Sequence, residues 1–394
     1  MERTAQQWKG ELEQELESLL GYWMQHAPDA VHGGFYGRID HENRVHPEAP
    51  KGSVLHARIL WTFSAAARHT GRADYRAIAD CAYIYFTEQF IDRAYGGVYW
   101  SLDYKGAPLD AKKQVYAQSF AIYALSEYAR CTGSDEALAE ALALYQVVRR
   151  KGYDPEHGGY WEALTRDWQP IADMRLSAKD ANEKKSMNTH LHVLEGFANL
   201  YRIAPREVLK ADLQELVRLF LDHIIHPATH HLQLFFNEQW TPRSEIISYG
   251  HDIEAAWLVQ EAAEVIADAE LVAEVKARCL RVAEAAAEGL DRDGGLWYEK
   301  EGGHLVKEKH WWPQAEALVG FYNAYQVSGN PVHRRRAEDN WNFIRRHILH
   351  ERGGEWKWGV YEDYSLMAHE DKAGFWKCPY HNGRACLELA VRLA

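Results

Sequence analysis

Tyr249-Gly250-His251-Asp252-Ile253-Glu254-Ala255-Ala256-Trp257-Leu258-Val259 is polar over its first turn and almost wholly apolar beyond it. Five other segments open a helix-patterned run in the same way. They are Leu55–Arg58 (LHAR), Val115–Gln118 (VYAQ), Met187–His190 (MNTH), Trp311–Gln314 (WWPQ) and Pro379–Asn382 (PYHN). Aligned with Tyr249–Asp252 (YGHD), their closing residues are Arg58, Gln118, His190, Asp252, Gln314 and Asn382, spaced by 60, 72, 62, 62 and 68 positions. Core-facing helices ordinarily start with small capping residues. Six starts rich in His, Arg, Asn, Tyr, Trp and Gln predict that all six face one shared polar pocket.

The spacers repeat as well. Gly33-Gly34, Gly96-Gly97, Gly158-Gly159, Gly294-Gly295 and Gly353-Gly354 each lead into a short alternating run. Such runs read as β-hairpins, with glycine where the backbone needs positive φ. The fourth copy, His231-Leu232-Gln233-Leu234-Phe235-Phe236, keeps the alternation and lacks the glycines. Each interval also holds a second, more charged helix, as in Asp74–Phe90 or Asp135–Arg150. Two helices per unit over six units give twelve. Pairs that cannot bury their faces alone stack on their neighbours. The N-terminal helix (6–25) can close the stack onto the last one. The expected fold is all-α: an (α/α)6 barrel with short β-hairpins on one face. An open superhelix and an irregular helical domain are the alternatives.

No Pro/Ser/Gly-rich linker interrupts residues 1–394, so one catalytic domain is expected. The net charge of −12 argues against a nucleic-acid partner. The basic run His333–Arg336 continues into Ala337-Glu338-Asp339 and reads as a solvated helix face. The five cysteines are odd in number, scattered, and contain no CxxC pair, which suits a reducing compartment. No apolar run is long enough for a bilayer, and the N-terminus is not a signal peptide. A cytoplasmic protein with no membrane partner is expected. The 15 Trp and 22 Tyr include Tyr99, Trp100, Trp161, Trp297, Trp356 and Trp358 in or beside the hairpins. A cleft walled by such rings suits a pyranose, although many of these side chains can serve hairpin packing alone.

His251 and Glu254 lie three apart on one helix, so the carboxylate is expected to raise the histidine's pKa. His381 occupies the column of His251 two units on. Two histidines looking into one cavity from different sides suit removal of a proton from one face of a carbon and its return to the other. Arg58, Asn188, Gln314 and Arg384 are candidate donors to the oxyanion formed, each worth ~3–4 kcal/mol in a dry site. His192 shares the column of Glu254, Glu316 and Arg384, which favours it over His190. His56 and the other histidines read as structural or surface. No HExxH, Cys/His cluster, GxGxxG or P-loop occurs, so neither a metal nor a cofactor is expected.

The segments Lys185–Glu195, Ser248–Trp257, Lys309–Glu316 and Phe375–Asn382 resemble the cellobiose 2-epimerase branch of the N-acylglucosamine 2-epimerase superfamily. The likeness spans essentially the whole chain. It implies an (α/α)6 barrel and cofactor-free inversion at C2 of the reducing-end glucose of a β-1,4-linked disaccharide, through a cis-enediolate. By motif, it implies that His251 and His381 are the acid/base pair, that Arg58 holds the enediolate oxygens and that Glu254 tunes His251. Asn188, His192 and Tyr116 would be substrate contacts, Trp312 and Trp376 stacking platforms, and Glu316 a hydroxyl-binding carboxylate. The rival readings are an aldose–ketose isomerase of the same superfamily acting on mannose, an inverting glycoside hydrolase, and a non-catalytic sugar-binding toroid.

Overall fold

Each polar opening lies at the first turn of an α-helix. The computed structural model describes residues 3–394. Among them are twelve α-helices: α1 (Ala5–His26), α2 (Ser53–Thr70), α3 (Ala73–Tyr85), α4 (Val115–Thr132), α5 (Asp135–Lys151), α6 (Met187–Tyr201), α7 (Glu207–Leu219), α8 (Tyr249–Ile266), α9 (Ala269–Ala286), α10 (Trp311–Ser328), α11 (Pro331–Phe343) and α12 (Tyr380–Arg392). The even-numbered helices form an inner ring. Each packs on the next, and α12 packs back on α2. The odd-numbered helices lie outside, and α1 closes the outer layer on α12. This is the expected (α/α)6 barrel.

Burial follows the two layers. In α2 every residue from Ser53 to Ala67 is buried, and in α4 every residue from Val115 to Ala129. The outer α7 buries only Leu209, Leu213, Leu216, Val217 and Leu219, a single stripe. No described helix is long and apolar enough to cross a membrane.

One end of the ring carries the strands. The two residues before an inner helix pair antiparallel with the hairpin of the following unit. Lys51–Gly52 pairs with Ser101–Leu102, Lys113–Gln114 with Ala163–Leu164, and Lys185–Ser186 with Phe235–Phe236. Ile247–Ser248 pairs with Glu299–Lys300, and Lys309–His310 with Gly359–Val360. A bridge between Ile39 and Ala373 joins the last unit to the first. The hairpins therefore fasten neighbouring units together and surround the N-terminal ends of all six inner helices.

A repeated latch sets each hairpin on its helix. The fourth residue of the inner helix accepts the hairpin's amide N–H: Phe35 on His56 (3.2 Å), Val98 on Gln118 (2.6 Å), Tyr160 on His190 (2.8 Å), Leu232 on Asp252 (2.8 Å) and Leu296 on Gln314 (2.7 Å). The double glycines make room for it. At Gly97 (φ +75°) a Cβ would lie 2.7 Å from Gln118 Oε1. Five positions before His56, Gln118, His190, Gln314 and, in the sixth unit, Asn382 stands a lysine pairing with a loop carboxylate: Lys51 with Asp29, Lys113 with Asp92, Lys185 with Asp154, Lys309 with Asp291, and Lys377 with Glu355. The fourth unit changes several of these positions together. Ile247 stands for the lysine, His226 for the aspartate, and His230 at φ 64° for the first glycine.

Candidate active site

The latch overturns one part of the sequence alignment. His56, not Arg58, shares the column of Gln118, His190, Asp252 and Gln314, and those side chains face the hairpins rather than the pocket. Gln314 donates to Leu296 O (2.8 Å) and His310 O (3.1 Å), so it is no oxyanion donor. Arg58 instead falls in the column of Phe120, His192, Glu254, Glu316 and Arg384, one turn edge further along the inner helices. That column forms the floor of the ring's polar centre.

Arg384 on α12 is the hub of this floor. Its guanidinium donates to Glu254 Oε1 (2.8 Å) and Glu316 Oε1 (2.7 Å), and also contacts Glu195 and the Tyr380 hydroxyl. All of these groups are buried. Glu195 extends to His192 Nδ1 (2.9 Å), and Glu316 accepts from Trp257 Nε1 (3.0 Å). Three carboxyls against one guanidinium cannot all ionise freely. Burial, then the charge of Glu316, pushes Glu254 up to about 8. Glu195 goes the other way: despite burial, Arg384 and His192 hold it down at about 2. Glu254, Glu316 and His381 also form a grouping with the reach to ligate a metal ion, their ligand atoms lying within 4.8 Å of one another. Arg384 already bonds the Oε1 atoms of both carboxylates and supplies the countercharge there.

The two candidate acid/base histidines meet at one aromatic ring. The Trp312 indole has its centroid 4.7 Å from the His251 ring and 5.8 Å from the His381 ring. Gly250 makes this possible, because a Cβ there would lie 2.7 Å from the indole. The His381 Nδ1–H donates to Glu316 Oε1 (2.7 Å), and His251 Nδ1 bonds Ser248 Oγ (2.8 Å). No protein hydrogen bond reaches either Nε2 among the described residues.

The predicted His251–Glu254 pair does not form. Glu254 is committed to Arg384 and lies 3.8 Å from His381 Nδ1. A three-residue spacing permits contact, but the stronger cation across the ring takes the carboxylate. The expected rise in the His251 pKa is reversed: burial, then the charge of His192, holds it down at about 3. Burial, then the Arg58 and Arg384 charges, holds His381 well below its ordinary value too.

Arg58 is 3 % exposed and has no carboxylate within salt-bridge distance among the described residues. It donates to Tyr116 OH (2.8 Å) and lies over the Phe120 and Tyr380 rings at 4.3 and 4.7 Å. Its Nε has no partner. A buried cation lacking a counter-ion is costly unless an anion arrives.

Around the floor, Asn188, Trp312 and Trp376 are half-buried. Asn188 Oδ1 has no partner. Trp376 packs 5.9 Å from Trp100 and 6.1 Å from Tyr116. Of the residues singled out in the sequence, Arg58, Tyr116, Asn188, His192, His251, Glu254, Trp312, Glu316, Trp376, His381 and Arg384 thus gather at one end of the ring, and Gln314 does not face it. Trp356 does not: it is fully buried, donating to Glu15, and serves packing alone. Sequence reasoning passed over Glu195, Ser248, Trp257 and Tyr380. The i,i+3 spacing of His192 and Glu195 was a usable signal for the first.

A family model for N-acylglucosamine 2-epimerase (GlcNAc 2-epimerase) matches residues 34–385. The chain is 50 % identical over 384 residues to a cellobiose 2-epimerase of Bacteroides fragilis, covering 97 % of this chain and 98 % of that one. A cellobiose 2-epimerase of Dictyoglomus turgidum is 36 % identical, with 98 % of each chain covered. Among solved structures, the cellobiose 2-epimerase of Bacillus thermoamylovorans superposes with a TM-score of 0.94 at 39 % identity, over 98 % of this chain and 99 % of that one.

Proposed function

The chain belongs to the N-acylglucosamine 2-epimerase family, and from that premise we propose that it inverts C2 of the reducing-end glucose of β-1,4-linked disaccharides, with cellobiose as substrate. It is a carbohydrate epimerase; the substrate and the mechanism are our reading. One observation carries it. Two imidazoles meet at one indole, each with Nδ1 engaged and Nε2 free, beside a buried arginine that lacks a counter-ion.

The reaction begins with opening of the pyranose, which exposes the C1 aldehyde and acidifies the C2 proton. A neutral imidazole takes that proton at Nε2. Burial keeps both histidines neutral in the resting protein, the state a base requires. Negative charge then moves onto the oxygens of a cis-enediolate, and Arg58 is the cation placed to receive it. Once that charge offsets Arg58, a main cause of His381's depressed pKa is gone. Glu316 remains on Nδ1 and favours the imidazolium. Rotation about C2–C3 presents the other face; the first imidazolium gives its proton up to solvent, and the second imidazole, having taken one from solvent at Nε2, delivers it to C2. The reverse reaction exchanges the two roles.

The hydrolase reading finds no free pair of carboxylates. Inversion needs two carboxyl groups ~6.5–9.5 Å apart with water between them. Glu254 and Glu316 bond the same Arg384 nitrogen, and Asp252 is held by Leu232 N and His231. The test is incubation with cellobiose in deuterated water followed by NMR. Glucosyl-mannose carrying deuterium at C2 is expected. Released glucose, or fructose from mannose without inversion of cellobiose, overturns the reading.

A further inference from the structure

Two places beyond the latched amide stands a hairpin residue that in two units packs on an aromatic of the site; the first unit has Gly37 there. In the second unit it is Trp100, 5.9 Å from Trp376; in the fifth it is Tyr298, 6.3 Å from Trp312. The fourth unit has Leu234 and the third has Glu162. A carboxyl thus stands in a wall otherwise made of apolar and aromatic side chains.

Glu162 is wedged between two site-bearing helices. Its N–H donates to Lys184 O (3.0 Å), and its carbonyl accepts from Val115 N (3.0 Å), one residue before Tyr116. Its Oε2 accepts from Thr189 Oγ1 at 2.8 Å. Its Oε1 is buried without any partner, in a residue only 5 % exposed. The neighbour of Thr189 on α6 is Asn188, whose Oδ1 is also unpartnered. Buried polar atoms in native proteins are nearly always bonded, so the orphaned Glu162 acceptor calls for a donor from outside the protein.

We propose that Glu162 is a specificity residue of the sugar site, its Oε1 accepting a hydroxyl of a neutral saccharide. This rests on the epimerase reading, because it takes the reacting hexose as seated between His251 and His381. Hydroxyls satisfy such acceptors, whereas sugar acids and sugar phosphates bring repulsion. Burial also raises the Glu162 carboxyl to about 7, so at pH 8 it is largely ionised and a stronger acceptor.

The experiment compares wild type, Glu162→Gln and Glu162→Ala at pH 8. Calorimetric titration with cellobiose and mannobiose is set beside initial rates and melting curves. The expected result is a threefold rise in Kd and KM in the glutamine variant and more than tenfold in the alanine variant, with kcat within threefold. Wild-type Kd and KM in both variants, with a lowered melting temperature, assign Glu162 to helix capping and overturn the proposal. Equal binding by all three proteins with deuterium still entering C2 overturns it while the epimerase reading stands. Wild-type binding without deuterium at C2 overturns the epimerase reading, and the titration still decides Glu162. If neither disaccharide binds wild type, both fall.

Discussion

At the level of single residues, the floor of the site is a charge problem solved by one arginine. Arg384 bonds Glu254 and Glu316 and contacts Glu195, which leaves Arg58 as the cation with nothing of its own to neutralise. Replacing Arg58 by glutamine is expected to lower kcat about 10²–10³-fold, with cellobiose binding changed far less, as steady-state kinetics will show. His251→Ala and His381→Ala are each expected to lose about 10²–10⁴-fold in kcat and keep the wild-type circular dichroism spectrum. The pH profile follows from the same burial. A base held down at about 3 stays neutral far below the ordinary histidine range, so the acid limb of kcat/KM should lie below pH 5. On the alkaline side, burial raises both carboxyls of the Glu254–Glu316 pair, so the pair completes its ionisation only above the ordinary carboxylate range. Activity should fall as the pair loses its second proton in wild type and persist to higher pH in Glu254→Gln. The motifs in the sequence singled out His251, His381 and Arg58 as candidates. They could not reveal that Glu254 would answer to Arg384 rather than His251, because that choice depends on a helix 130 positions away along the chain.

At the level of elements, the lysine five places before each latch residue is the clearest register mark in the chain. It aligns Lys51 with Lys113, Lys185, Lys309 and Lys377, and so aligns His56 with Gln118. Matching polar tetrads alone shifts the first unit by two residues, since the variable loops hide the true spacing. The latch makes a prediction of its own. His56 and His190 are driven by burial to about 3. In the unfolded chain each takes up a proton near pH 6.5 that the folded protein refuses. Their contribution is therefore complete above pH 6.5 and is lost as pH falls toward 3, by ~1.4 kcal/mol per pH unit for each histidine. Glutamine performs the same task in the second and fifth units, and Gln314 bonds both the hairpin and the i−4 carbonyl. His190→Gln should match wild type in urea unfolding at pH 7 and exceed it by about 2 kcal/mol at pH 5. His230→Gly should add about 1 kcal/mol by relieving a left-handed residue.

At the level of the whole molecule, the ring closes where α1 meets α12. Trp8 of α1 is fully buried and packs on Tyr322 of the neighbouring α10, their ring centroids 5.6 Å apart. Trp8→Ala should cost about 3–5 kcal/mol of stability, measured by urea titration, while kcat in the folded protein stays at the wild-type value. Closure was legible because six units and a leading helix were countable in the sequence. The pairing of each strand with the following unit was not, since two-residue strands carry too little alternation to read. Every inner helix contributes to the polar centre: Arg58, Tyr116, His192, His251, Glu316 and His381 come one from each. The centre therefore cannot be divided: a chain cut between α11 and α12 keeps Glu195, Glu254 and Glu316 but loses the guanidinium that pairs them and the helix that packs back on α2, so such a fragment should turn over no sugar until the missing helix is supplied.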